Sequence, residues 1–133
     1  MATFTSNDII RARSKQETLT TSGSVDANQA GAEFNIATDA LVITLPAIDA
    51  NNIGMEFTFR NTGADGNNII TLSPAATDAF HGTVGSVQSG GVDNKDWINT
   101  KATANKGDWC TIKAVALTDW YLTGGDGVWA SES

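Results

Sequence analysis

A period of two is the strongest constraint on what this chain can fold into. From about Phe34 onward, short runs of alternating apolar and polar residues recur, each closed by turn-forming residues; such runs are the mark of half-buried strands in a sandwich or barrel. In Met55-Glu56-Phe57-Thr58-Phe59-Arg60 a pleated backbone puts Met55, Phe57 and Phe59 on one face and the polar residues on the other. Trp109 to Val115 repeats the pattern, with Cys110, Ile112 and Ala114 on one side and Thr111 and Lys113 on the other. Cys110 is therefore expected in the core. Leu41-Val42-Ile43-Thr44-Leu45 is more uniformly apolar and predicts a strand covered on both faces, ended by Pro46, which lacks a ladder donor. Asn68 to Leu72 stops before Pro74 and follows the turn-rich Thr62-Gly63-Ala64-Asp65-Gly66-Asn67, predicting a hairpin with the Met55 strand. Trp109 to Val115, Asp119 to Thr123 and Val128-Trp129, the last two separated by Gly124-Gly125-Asp126-Gly127, predict a three-stranded C-terminal meander. Ile43, Leu45, Ile70, Ile112 and Leu122 are expected to oppose or flank the Met55 face.

These elements define an all-β single domain, a β-sandwich or jelly roll, or a short barrel, with almost no helix. The 133 residues suit one core, and 41% hydrophobic residues suffice to fill it. Residues 18–133 are assigned to that domain and residues 1–17 to an N-terminal arm. In the arm, Ser6 has the chemistry of a cap and Ser14 with Glu17 the spacing of a capping box, but neither leads into a helical repeat. Between Ser73 and Ala104 the alternation weakens, and Gly82, Gly85, Gly90 and Gly91 interrupt it. Only short strands around Thr83 to Val87 and Asp96 to Ile98 are expected there, within a long excursion that would serve as an interaction surface.

A formal net charge of −7 argues against nucleic acid as a partner, because phosphate binding draws on Lys and Arg. The single cysteine rules out an intrachain disulfide and a cysteine-based metal cluster. The first residues lack the basic-then-apolar build of a signal peptide, and no apolar run approaches a membrane span. A protein made and used without membrane insertion is the expectation.

The residues that could carry chemistry each have a plainer role. His81, the one histidine, lies near Asp78, yet a triad also needs a marked nucleophile and none stands out. Asp93 with Asp96, Asp119 with Asp126, and Asp65-Gly66-Asn67-Asn68 are better explained by turns than by calcium, which wants a denser set of oxygens. No cofactor is expected. Four Trp and one Tyr offer large apolar areas for a core, an interface or a stacking platform; Trp97 and Trp129 are the candidates for an aromatic interface or glycan contact. In the arm, Arg11, Arg13 and Lys15 alternate and would share one side of an extended chain. With Phe4, Ile9 and Ile10 they form the candidate contact to a neighbouring subunit.

The order of segments adds a resemblance. Gly31-Ala32-Glu33-Phe34-Asn35-Ile36, Ile43-Thr44-Leu45-Pro46, Gly54-Met55-Glu56-Phe57-Thr58-Phe59, Gly107-Asp108-Trp109, Trp120-Tyr121-Leu122 and Gly127-Val128-Trp129 follow one another behind an N-terminal arm. This arrangement resembles small virion proteins of tailed phages, particularly capsid decoration (cement) proteins and related β domains of fibres. The resemblance implies a jelly-roll-like or barrel-like module on the outer capsid surface, made in the host cytoplasm, with the major capsid protein and further copies of itself, as dimer or trimer, for partners. It carries over no catalytic residue. A carbohydrate- or receptor-binding domain of a tail, knob or fibre is the alternative.

Overall fold

The computed structural model describes residues 14–132, which form two packed β-sheets. Thirteen strands follow in order: β1 (Lys15–Leu19), β2 (Gly23–Ser24), β3 (Ala32–Ile36), β4 (Leu41–Thr44), β5 (Glu56–Asn61), β6 (Ile70–Ser73), β7 (Ala79–His81), β8 (Thr83–Val84), β9 (Val87–Gln88), β10 (Trp97–Asn99), β11 (Trp109–Ala116), β12 (Asp119–Asp126) and β13 (Trp129–Ser131). The first sheet has the order β1-β3-β5-β11-β12-β7 and the second β13-β10-β6-β4-β2, while β8 and β9 make a small hairpin of their own. Two short 3-10 turns, Ala27–Gln29 and Lys101–Thr103, are the helical content. The domain is all-β, as the alternation requires, and neither large sheet closes into a barrel.

The connectivity divides the molecule into two halves. Through β6 the chain alternates between the sheets, and each strand from β3 on pairs in parallel with the one laid down two before it. The first half is thus wound like a short solenoid. The second half fills in by antiparallel pairing: β11 lies against β5, β12 against β11, β10 against β6 and β13 against β10. Only β7 departs, joining the far edge of the first sheet parallel to β12.

This winding corrects three expectations. The Met55 strand and the Asn68 segment are not a hairpin: β5 and β6 lie in different sheets, and the turn-rich segment between them carries the chain across. The C-terminal meander is likewise broken, because β11 and β12 form a hairpin but β13 crosses to the second sheet. In β4, Leu41 and Ile43 are buried while Val42 and Thr44 are exposed, so the strand is covered on one face only. Val42 is apolar without being internal.

One core lies between the sheets. Phe34, Phe57, Phe59, Ile112 and Trp120 from the first sheet meet Ile43, Ile70, Leu72, Trp97 and Trp129 from the second, all essentially inaccessible. Met55, Leu45 and Leu122 join them as the alternation indicated. Phe34 stacks on Phe59 with ring centroids 5.4 Å apart, and Phe57 sits 6.0 Å from Trp120 and 6.1 Å from Phe34. Cys110 is fully buried, and the loss of solvation there pushes its thiol up to about 12.

A polar cluster pins the end of the core where β5, β10 and β11 meet. Asn61, Asn68, Asn99 and Asp108 are all buried. Asn68 Nδ2 donates to Asn61 Oδ1 (2.9 Å) and to the Ile36 carbonyl (2.9 Å), and Asn61 Nδ2 donates to Asn99 Oδ1 (3.2 Å). Asn99 Nδ2 in turn donates to Asp108 Oδ2 and the Val128 carbonyl, both at 3.1 Å. The three amides and the carboxylate join elements of both sheets. At Gly127 the backbone has φ +101°, and a Cβ there would lie 2.3 Å from Asp108 Cγ, so glycine is what lets the chain pass this cluster.

Candidate functional site

The excursion from Ser73 to Ala104 is structured. It contributes β7 to the first sheet, β10 to the second and the β8–β9 hairpin between them. Ser89 donates its amide to the Gly82 carbonyl (2.8 Å) and its hydroxyl to the Phe80 carbonyl (2.6 Å), and the Gly90 amide reaches Ser131 Oγ (3.4 Å). The hairpin therefore seals the side of the sandwich where β7 and β13 form the edges. A depression beside it, lined by Ser89, Gly90, Val92, Lys95, Ser131 and Glu132, holds about 30 Å³, room for a water or two.

The opposite side is bounded by β1 and β2. In β1, Lys15 and Glu17 lie in register with the buried Ala32 and Phe34, so their side chains share the core-facing side of the strand. They are bridged at 2.9 Å, and Gln29 Nε2 donates to Glu17 at 2.8 Å. Charges on the inward side of an edge strand discourage another chain from pairing with it. Lys15 is thus part of the domain's own sheet, and the strand begins before the expected boundary at residue 17. Phe4, Ile9, Ile10, Arg11 and Arg13 lie outside the described residues.

Trp97 and Trp129 are not surface residues. Both are fully buried, stacked with an interplanar angle of 6° and centroids 6.4 Å apart, and the Trp129 indole donates to the Asp126 carbonyl at 3.1 Å. Their strands β10 and β13 alternate with the core phase, which makes them packing residues of the second sheet and removes them as glycan contacts. The Trp97 and Trp120 indole nitrogens lack a hydrogen-bond partner of ordinary geometry; the Trp97 N–H acts on the Cys110 sulfur, lowering its thiol against the larger effect of burial.

His81 pairs with Asp119, not with Asp78: Nε2 lies 3.0 Å from Asp119 Oδ1, and its ring packs 5.6 Å from Tyr121 and against Gly91. It joins β7 to β12 and fits the loop over them. Asp78 is buried and accepts from the Ile48 amide (3.1 Å) and the Thr77 hydroxyl (3.3 Å). Desolvation raises its carboxyl above the usual 3.8, outweighing those hydrogen bonds, with the charges of Asp93 and Asp119 adding to the rise. A raised folded-state value means that folding takes up a proton, so this residue's contribution favours folding at low pH and is lost as pH climbs through the raised value. Asp78→Asn retains an acceptor for Ile48 without the charge. Its melting temperature is expected to gain on wild type as pH rises from 4 toward 7, as measured by thermal scans across that range. An unchanged difference between the two proteins at every pH refutes the assignment.

Two further acidic residues act in turns: Asp65 accepts from the Lys106 amide at 2.8 Å and Asp126 from the Gly127 amide at 2.9 Å. Among the described residues no group of three or more His, Cys, Asp or Glu could hold a metal, and no helix is long and apolar enough to cross a membrane.

What the structure offers to partners is its two broad faces. The outer face of the first sheet is charged and laced: Arg60 Nε donates to Glu33 (2.7 Å), Gln16 to Glu33 (2.7 Å), Asn35 to Gln16 (2.9 Å), and Thr58 and Thr111 share a 2.7 Å bond. The Glu33 carboxyl is held below its usual range, first by Arg60 and then by Gln16. The Arg60 guanidinium lies over Trp109 at 5.8 Å from the ring centroid, and Tyr121 is exposed. The outer face of the second sheet carries instead Val42, Thr44, Thr71, Ser73, Ile98 and Ala130. Neither face was legible in the sequence, since each is assembled from strands distant along the chain. Comparison with known protein families and with curated proteins finds no match.

Proposed function

We propose that this chain is a non-enzymatic structural protein of a tailed-phage virion, a decoration protein bound across subunit boundaries on the outer capsid surface. The observation that supports this reading best is the use of surface. One side of the sandwich is sealed by the β8–β9 hairpin, the other is guarded by the inward Lys15 and Glu17, and the large aromatic residues Phe34, Phe57, Phe59, Trp97, Trp120 and Trp129 are spent on the core. The two outer sheet faces remain for contact. A protein of this kind does its work by binding: each copy that prefers the assembled lattice over free subunits stabilises that lattice by linkage, and contact with two subunits slows release through effective concentration.

Adding the purified full-length protein to undecorated shells tests the reading. The protein should appear at regular lattice positions in images of the particles and raise the temperature at which shells break. Density confined to the tail or fibres, or no binding, overturns it. For the receptor-binding alternative the structure leaves Trp109 and Tyr121 as the aromatic rings on the first sheet's outer face; saccharide-dependent binding lost in Tyr121→Ala decides in its favour.

A further inference from the structure

The outer face of the second sheet is built in rows. Strand register aligns Val42, Thr71, Ile98 and Ala130 across β4, β6, β10 and β13. One residue beyond the paired ends, Ile69, Thr100 and Val128 extend the same alternation and Ala40 lies beside them with a left-handed φ of 61°, the Thr100 amide being bonded to the Val128 carbonyl at 3.2 Å. Neither row holds an ionisable side chain. Val42 and Val128 are 43% and 44% exposed, and Ile69, Ile98 and Ala130 are partly so. Among the described residues, charged groups stand only at the ends: the Lys101–Asp39 pair at one, Asp96 and Glu132 with neighbouring Lys95 at the other. The first sheet's outer face, by contrast, presents Glu33, Glu56, Arg60, Lys113, His81 and Asp119. Of the other exposed apolar side chains, Val115 and Leu117 flank the β11–β12 connection, Ile53 lies in the turn before β5, Val92 lines the depression beside the β8–β9 hairpin, and Tyr121 is on the first sheet.

We infer that this face is where a second copy of the chain packs, sheet on sheet, through Val42, Ile69, Ile98, Val128 and Ala130. The charge of the protein selects the occupant. Two copies, each with a formal charge of −7, repel wherever acidic groups face one another, and these two rows are a surface four strands wide that brings none together. Aligned sheet packing brings two such faces together with their side chains interdigitated. An in-plane two-fold axis across the strands lays each copy's rows over the other's in reverse, with the Lys101 end of one above the Asp96 and Glu132 end of its mate, and so makes the contact self-complementary. Four strands and about six residues of length cover roughly 400 Å² per copy, below the ~800 Å² per partner of stable complexes. The dimer is therefore weak in solution and strengthened where copies are held close together. This inference stands independently of the virion reading.

Sedimentation of the full chain from micromolar to high concentration tests it. Mass should rise toward that of a dimer, and added salt should strengthen the association by screening the net repulsion. Val42→Lys and Ile98→Lys each reduce the net negative charge, yet both should abolish dimerisation, whereas Tyr121→Lys on the opposite face should not. Retained circular dichroism and melting temperature confirm that the variants fold. Wild-type amide shifts that depend on concentration should map to β4, β6, β10 and β13, a readout that needs no variant. A monomer at every concentration, loss of the dimer in Tyr121→Lys alone, or shifts on the first sheet overturns the inference.

Discussion

Phe57→Ala is expected to lower stability by about 3–5 kcal/mol, the cost of deleting a fully buried phenylalanine from a core that can relax only partly. Phe57 is completely inaccessible and touches aromatic neighbours on three sides, with ring centroids 6.1 Å to Phe34, 6.4 Å to Phe59 and 6.0 Å to Trp120. It also sits in β5, the strand at which the parallel first half and the antiparallel second half of the first sheet join. A cavity there unbuttresses both halves at once. Since a domain typically holds only about 5–15 kcal/mol in total, denaturant titration should show the midpoint falling by a large fraction of its wild-type value. Thr58→Ala, one residue away on the outer face, loses a half-buried hydroxyl pair with Thr111 and should cost about 1 kcal/mol. Equal effects at the two positions would mean that the strand faces are assigned the wrong way round.

The polar cluster should be as sensitive, for a different reason. Asn61→Leu keeps the volume and adds apolar surface, yet it is expected to cost roughly 2–6 kcal/mol, because leaving a buried donor or acceptor unpaired costs about 1–3 kcal/mol each. The Gly63 amide loses Asn61 Oδ1 at 2.9 Å, Asn68 loses one of its two acceptors, and Asn99 Oδ1 loses its donor. Asn61 thus serves three other groups. Asn61→Asp is the informative companion: it keeps the acceptor for Gly63 and Asn68 but faces Asn99 Oδ1 with an oxygen and buries a charge near Asp108. Its stability should recover as pH is lowered and the carboxyl protonates, while that of the Leu variant should not. If Asn61→Leu unfolds at the wild-type denaturant concentration, the cluster is incidental to the fold.

Along the chain, the period-two pattern by itself determined which residues face inward. Phe57, Phe59, Cys110, Ile112 and Ala114 are where alternation puts them, because a strand has only two faces and only one can be buried at this size. The same phase runs through Asn61 after Phe59 and through Asn99 after Trp97, so a polar residue at an inward position near a strand end was the available sign of the buried cluster. Trp97 and Trp129, expected at an interface or glycan contact, are turned into the core by the same phase once their strands are placed in the second sheet. What only the tertiary structure decided is which strand lies beside which. Alternation carries no information about partners, and the turn-rich segment from Thr62 to Asn67 reads the same whether it folds back as a hairpin or crosses between sheets. The crossing is settled by where the apolar faces of β5 and β6 are both satisfied, one in each sheet, with Asn61 and Asn68 joined across the gap. The two outer faces follow from that choice, since the charge-free rows of the second sheet exist only once β4, β6, β10 and β13 are neighbours.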